Sequence, residues 1–124
     1  MTELLVTEED LASWFVHYNF ACFDGLLPRV RVNFSPDTIF IGSSGKPILG
    51  GVRQSSGNIV ISRSIQFSPC LCRGTLLHEM VHLKRRRYAW LRKRFHLRRE
   101  SPHGSGFTRD IKELVAQGVY DELL

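Results

Sequence analysis

The chain has 124 residues, 43% of them hydrophobic, with 17 Lys and Arg against 12 Asp and Glu. That length allows one domain over 1–124 with a core of its own, and the ordinary hydrophobic content argues against a disordered or fibrous chain. No run approaches the ~18 apolar residues of a membrane span, Met1–Val6 lacks the basic start of a secretion signal, and the odd set Cys22, Cys70 and Cys72 makes no disulfide framework, so a soluble, intracellular, cytoplasmic protein without a membrane partner is expected, with a monomer as the default.

Thr7 precedes an acidic first turn, Glu8-Glu9-Asp10, and Asp24-Gly25 supplies a stop. These signals predict a helix over Glu8–Phe23 with Leu11, Phe15, Tyr18 and Cys22 as its apolar stripe. His17, among aromatic neighbours, reads as a structural histidine. Alternation of Val30, Val32 and Phe34 predicts a strand over about Arg29–Asn33. Ser43-Ser44-Gly45-Lys46-Pro47 reads as a loop, and Ile48–Val52 and Asn58–Ser62 read as two strands joined around Gln54-Ser55-Ser56-Gly57.

Ser68 as N-cap and Pro69 at the first helical position open the next helix. Leu76, Leu77, Met80, Val81 and Leu83 make it apolar on nearly every side, as in a buried helix. Cys70 lies about 12 Å along such a helix from His78, too far to share one ion, so Cys70 and Cys72 are expected to pack rather than ligate. Gly74 has no local explanation.

Within this helix His78-Glu79-Met80-Val81-His82 is an HExxH pattern. Residues four apart share a helix face about 6 Å apart along the axis, so both imidazoles can reach one metal ion. Zinc takes neutral imidazole nitrogen, and a catalytic site uses three protein ligands and leaves a fourth position to water. Glu79, rotated about 100° from His78, falls on the flank of that face and suits a general base that passes a proton from water to a leaving amine. Two buried histidines and a glutamate would be costly in so apolar a helix unless a cation compensated all three.

The spacing after His82 excludes a metzincin, since Arg85 and Tyr88 stand where Gly and His are needed. Two candidates for the third ligand remain. Glu100 would serve a thermolysin-like arrangement. His103, the stronger, immediately precedes an amphipathic run with Phe107, Ile111, Leu114 and Val115 at helical spacing.

Between the two metal-binding segments the charge is lopsided. Lys84 to Arg99 holds nine basic residues and no acidic one, whereas the rest of the chain has eight basic and twelve acidic. Such asymmetry points to a polyanionic partner. Arg85, Arg86, Arg87, Arg92, Lys93, Arg94, Arg98 and Arg99 are the candidate phosphate contacts, and Trp90 could stack on an unpaired base. Tyr88, Leu91 and Phe95 share one helical face, so the segment either continues the HExxH helix or forms its own, and the bland alternative is a solvated helix. His96 reads as a surface residue.

The HExxH helix followed by His103-Gly104-Ser105-Gly106-Phe107 resembles the SprT-like (Spartan-type) zinc metallopeptidases. The segments Tyr18–Pro28, Gly50–Arg53 and Gly57–Ser62 are similar to that family's opening helix with its exit turn and to the hairpin before its active-site helix, so the likeness runs from about residue 10 to 118. It implies a minimal zincin-like α+β domain of N-terminal helix, small sheet, HExxH helix and C-terminal helix. It also implies one zinc ion held by His78, His82 and His103, with Glu79 as catalytic base. The implied activity is an endopeptidase, DNA-stimulated and acting on DNA-associated or DNA-crosslinked proteins, with single-stranded or duplex DNA as partner and a nucleoid location where DNA is bound. The stretch between His82 and His103 is unusually rich in arginine, and no zinc-ribbon cysteines follow. The competing expectation is a non-catalytic nucleic-acid-binding domain with structural zinc.

Overall fold

The computed structural model describes residues 4–53, 55–94 and 105–118. The first helix, α1, spans Glu8–Phe23 with the expected bounds, and its start is a reciprocal capping box. Asp10 N–H donates to Thr7 Oγ1 at 3.1 Å and Thr7 N–H to Asp10 Oδ2 at 2.9 Å, which satisfies two backbone donors that no helical carbonyl reaches. At the other end Asp24 and Gly25 turn left-handed, at φ 53° and 72°, and Gly25 N–H bonds back to Asn19 O. The Asn19 side chain then clasps Leu27, accepting from its N–H at 3.0 Å and donating to its carbonyl at 3.2 Å. That clasp sets the direction in which the chain leaves the helix.

Five short strands follow: β1 Val32–Phe34, β2 Phe40–Ile41, β3 Pro47–Ile48, β4 Gly50–Val52 and β5 Ile59–Ile61. They make a three-stranded sheet in the order β1-β5-β4 and a separate β2–β3 hairpin. β5 runs parallel to β1, with Val32 beside Ile59, and antiparallel to β4, with Gly50 beside Ile61. Being central, β5 is buried at all three residues. A 3-10 turn at Arg63–Ile65 leads into α2, Pro69–Arg94, and after an interval α3 spans Ser105–Ala116. The described residues are thus a small α+β domain of three helices and a small sheet, and no described helix is long and apolar enough to cross a membrane.

Three strand expectations shift. The first strand begins at Val32 rather than Arg29 because the Arg31 N–H is taken by the Asn58 side chain at 3.0 Å. The expected Ile48–Val52 strand is split at Leu49: Pro47 and Ile48 pair with Phe40 and Ile41 across a turn closed by Gly42 N–H to Lys46 O, while Gly50–Val52 joins the main sheet. Pro47, expected in the loop, is therefore a strand residue; its missing N–H is tolerated at the edge of a two-stranded ribbon. The turn after β4 lies where expected, with Gly57 at φ 78° and its N–H bonded to Arg53 O.

The core is one cluster that takes Leu11, Phe15 and Tyr18 from α1, Val32, Phe34, Ile59 and Ile61 from the sheet, Leu76, Leu77, Met80 and Val81 from α2, and Phe107 and Leu114 from α3. Arg73 locks α1 to α2, donating to Tyr18 Oη at 2.7 Å with its guanidinium over the rings of Trp14 and Tyr18. His17 is exposed, its ring 5.5 Å from that of Tyr18. Val115, expected on the apolar face of the last helix, is 53% exposed, because the buried row there is Phe107, Asp110 and Leu114.

Candidate metal centre

α2 starts as its sequence dictates. Ser68 Oγ accepts from Leu71 N–H at 3.2 Å, Ser68 O from Cys72 N–H, and Pro69 takes the first position, where no N–H is needed. Its next turns are pressed between α1 and the β4–β5 face, so Cys72, Leu76, Leu77, Met80 and Val81 are fully buried. Burial pushes the Cys72 thiol up to about 11, and it donates weakly to Ile65 O; Cys70 is exposed. Cys72 thus packs as expected, whereas Cys70, also expected to pack, faces solvent at the first turn of the helix.

One turn on, the helix brings His78, Glu79 and His82 together. A donor atom of each lies within 4.8 Å of the others. Two nitrogens bound to one tetrahedral zinc at about 2.1 Å are about 3.4 Å apart, so a small side-chain rotation closes the set on an ion. The imidazoles are half-buried, 4.9 Å apart between ring centres and inclined at 70°. Phe107 of α3 covers both: it meets His78 edge-on at 5.0 Å and stacks on His82 at 4.5 Å with 26° between planes. An aromatic wall of this kind restricts ring rotation and excludes water on one side.

Glu79 is 4% exposed, and its Oε2 makes no hydrogen bond among the described residues. Loss of hydration with no donor in return pushes its carboxyl up to about 7. The two imidazoles form a donor pair that fits a divalent transition cation such as zinc, and the orphaned Glu79 oxygen lies close enough to face such an ion or its water.

The sheet makes room for this carboxylate at one residue. A Cβ on Gly50 would stand 2.8 Å from Thr75 Cγ2, 3.2 Å from Glu79 Cγ and 3.2 Å from Val60 O. β4 can lie this close to α2 only because position 50 has no side chain. Gly51 faces the other way, where a methyl would meet Phe40 and Ile48 of the hairpin at ordinary contact distances of 3.5 and 3.7 Å. The Gly50-Gly51 pair is visible in the sequence as a strand doublet that signals close approach, but its role beside Glu79 emerges from the fold alone.

Asp110 is the second residue that sequence reading passes over. It is a 4% exposed acid on the buried row of α3. Its Oδ1 accepts from Lys84 Nζ at 3.1 Å, and Oδ2 faces Arg85 Nη1 at 3.7 Å, beyond hydrogen-bonding range. Arg85, counted above among the phosphate contacts, thus keeps only 16% of its side chain exposed and points to α3. Arg86 is half-buried, with Nη1 3.3 Å from where a Cβ on Gly57 would stand. The positions of Arg87, Trp90, Arg92, Lys93 and Arg94 belong to the continuing helix, so the basic stretch extends α2 rather than starting a new element. His103, Glu100, His96, Arg98 and Arg99 lie outside the described residues. No family model, curated protein or solved structure matches the chain.

Proposed function

We propose that this protein is a zinc-dependent endopeptidase of the SprT-like, minimal zincin type, directed to DNA-associated or DNA-crosslinked proteins. The observation that carries this reading is the convergence of His78, Glu79 and His82, with a Glu79 oxygen buried and unbonded. A structural site needs ligands only; an acid with a spare oxygen beside two imidazoles suits proton transfer as well. His103 is the proposed third ligand. It stands two residues before α3, and α3 is the element that meets both imidazoles through Phe107.

Zinc held there would polarise a peptide carbonyl and bring water within reach of ionisation near neutral pH. Glu79 would accept the proton of the attacking water and deliver it to the departing amide nitrogen, a transfer for which a carboxyl lifted toward neutrality is well matched. The Phe107 ring covers the two imidazoles on one side and keeps bulk water from them there.

β4 supports a place for the extended substrate. Leu49 O accepts from Ser62 N–H and Arg53 N–H donates to Asn58 O, so residues 49, 51 and 53 spend their backbone groups on β5. The intervening Gly50 and Val52 direct theirs to the opposite edge, where a peptide could add as a further strand, while the face of β4 at Gly50 lies against Glu79. The unbroken continuation of α2 into a run of arginines supports recruitment by nucleic acid.

The test is incubation of zinc-loaded protein with an unstructured protein substrate, with and without single-stranded DNA. Cleavage that stops with a chelator and with Glu79→Gln, and rises with DNA in a salt-sensitive way, is the expected outcome. Zinc uptake without any cleavage would overturn the peptidase reading and leave a nucleic-acid-binding module. DNA binding that ignores salt would remove the arginine segment as a phosphate reader.

A further inference from the structure

Asp110 and Phe107 are three residues apart and share one face of α3, while His78, His82 and Arg85 follow at helical spacing on the facing side of α2. The contacts run in the same direction along both helices: Phe107 meets the two imidazoles, and one turn later Asp110 meets Lys84 and Arg85. Leu114 continues the buried row, so an apolar residue at 110 would have completed an ordinary packed face. A carboxylate is the costlier choice, because it must be taken out of water, and what it gives in return is direction. Apolar ridges can slide past one another; an acid held by cations on two successive residues fixes one axial setting.

We propose that Asp110 is a positioning residue for the candidate metal ligands: by gripping Lys84 and Arg85 it seats α3 at the register in which Phe107 packs against the rings of His78 and His82. The stacking of Phe107 on His82 at 26° is the product of that register, and a shift of α3 by a fraction of a turn would release both imidazoles. The inference rests on the metal reading for its zinc consequence alone; the seating of the rings stands without it.

The experiment uses the whole chain, first metal-free and then titrated with zinc. In the metal-free protein the ring current of Phe107 displaces the His82 ring-proton resonances, and Phe107→Leu defines the signal without it. Asp110→Asn, natively folded by circular dichroism, is expected to lose most of this displacement and to bind zinc about ten- to a hundredfold more weakly, as loss of a ligand-orienting partner does. Combining Asp110→Asn with Phe107→Leu should weaken zinc binding no further than Phe107→Leu alone, because the first acts through the second. A folded Asp110→Asn protein with the wild-type His82 signal would overturn the proposal, as would fully additive losses in the double variant. Should Asp110→Asn not fold, Lys84→Gln loosens the same grip from its 37% exposed side, and a partial loss of the displacement is then expected, its absence being equally fatal. A wild-type protein that takes up no zinc would overturn the metal reading, whereas the ring signal decides separately on Asp110.

Discussion

Glu79 and Asp110 are equally buried acids, one on each of two packed helices, yet their surroundings differ in kind. Asp110 is met by two cations: Lys84 bonds its Oδ1 at 3.1 Å, and its Oδ2, like Glu79 Oε2 without a hydrogen bond, at least faces the Arg85 guanidinium at 3.7 Å. Glu79 has an apolar floor, a glycine where a neighbour could stand, and an oxygen with no donor. A carboxylate whose burial is compensated by the fold serves the fold. One left uncompensated is relieved by taking up a proton or by facing a cation, and it lies beside two imidazoles whose nitrogens could reach the same cation.

Removing the Glu79 charge should therefore cost activity, and removing the Asp110 charge should cost structure. Glu79→Gln is expected to lower kcat by about 10² to 10⁴-fold while zinc content by metal analysis stays at the wild-type level; unchanged turnover would place the two acids in the same class. Asp110→Asn is expected to reduce unfolding free energy by about 3 kcal/mol in urea titrations, since it leaves Lys84 and Arg85 facing a neutral amide. A loss below about 0.5 kcal/mol would mean that its pairing is no stronger than a surface contact.

pH sharpens the contrast. The folded Glu79 carboxyl is raised from 4.5 to about 7, so the folded chain holds that proton more tightly than the unfolded one. Its contribution is thus fully present below about 4.5 and is lost as pH rises through about 7, a decline of about 3 kcal/mol in chelator-treated protein. Melts of Glu79→Gln against wild type across that window should differ in slope, and parallel curves would show that the carboxyl is not desolvated. The smallest effect concerns the room left for it: Gly50→Ala should destabilise by about 1 to 3 kcal/mol through its contacts with Thr75 and the Val60 carbonyl, whereas Gly51→Ala should cost less. Equal costs at the two glycines would remove the close approach of β4 as the reason for the doublet.

The parts legible in the sequence are those whose cause is local. The bounds of α1 follow from Thr7, Asp10 and Asp24-Gly25, and the start of α2 from Ser68-Pro69, because caps satisfy backbone groups within a few residues. The shared face of His78 and His82 follows from helix geometry. What was not legible depends on distant partners. Nothing near Arg31 announces that Asn58 will take its N–H, and two-residue strands such as Phe40–Ile41 carry too little pattern to be read. Asp110 looks like any acid on an amphipathic helix until α2 is set beside it. The basic run is the instructive mixed case: its charge is plain in the sequence, but the turning of Arg85 inward is a property of the packed helices.

The strand order β1-β5-β4 also governs how the molecule comes into being. As the chain leaves the ribosome, Val32–Phe34 and Gly50–Val52 emerge without a mate, because the strand that joins them, Ile59–Ile61, is translated last. Ile59–Ile61 is the keystone of the sheet, and until it arrives β1, the strand on which α1 packs, has no neighbour. The helix that carries both histidines is translated after the keystone, so His78 and His82 are made only once the surface that receives their helix can exist.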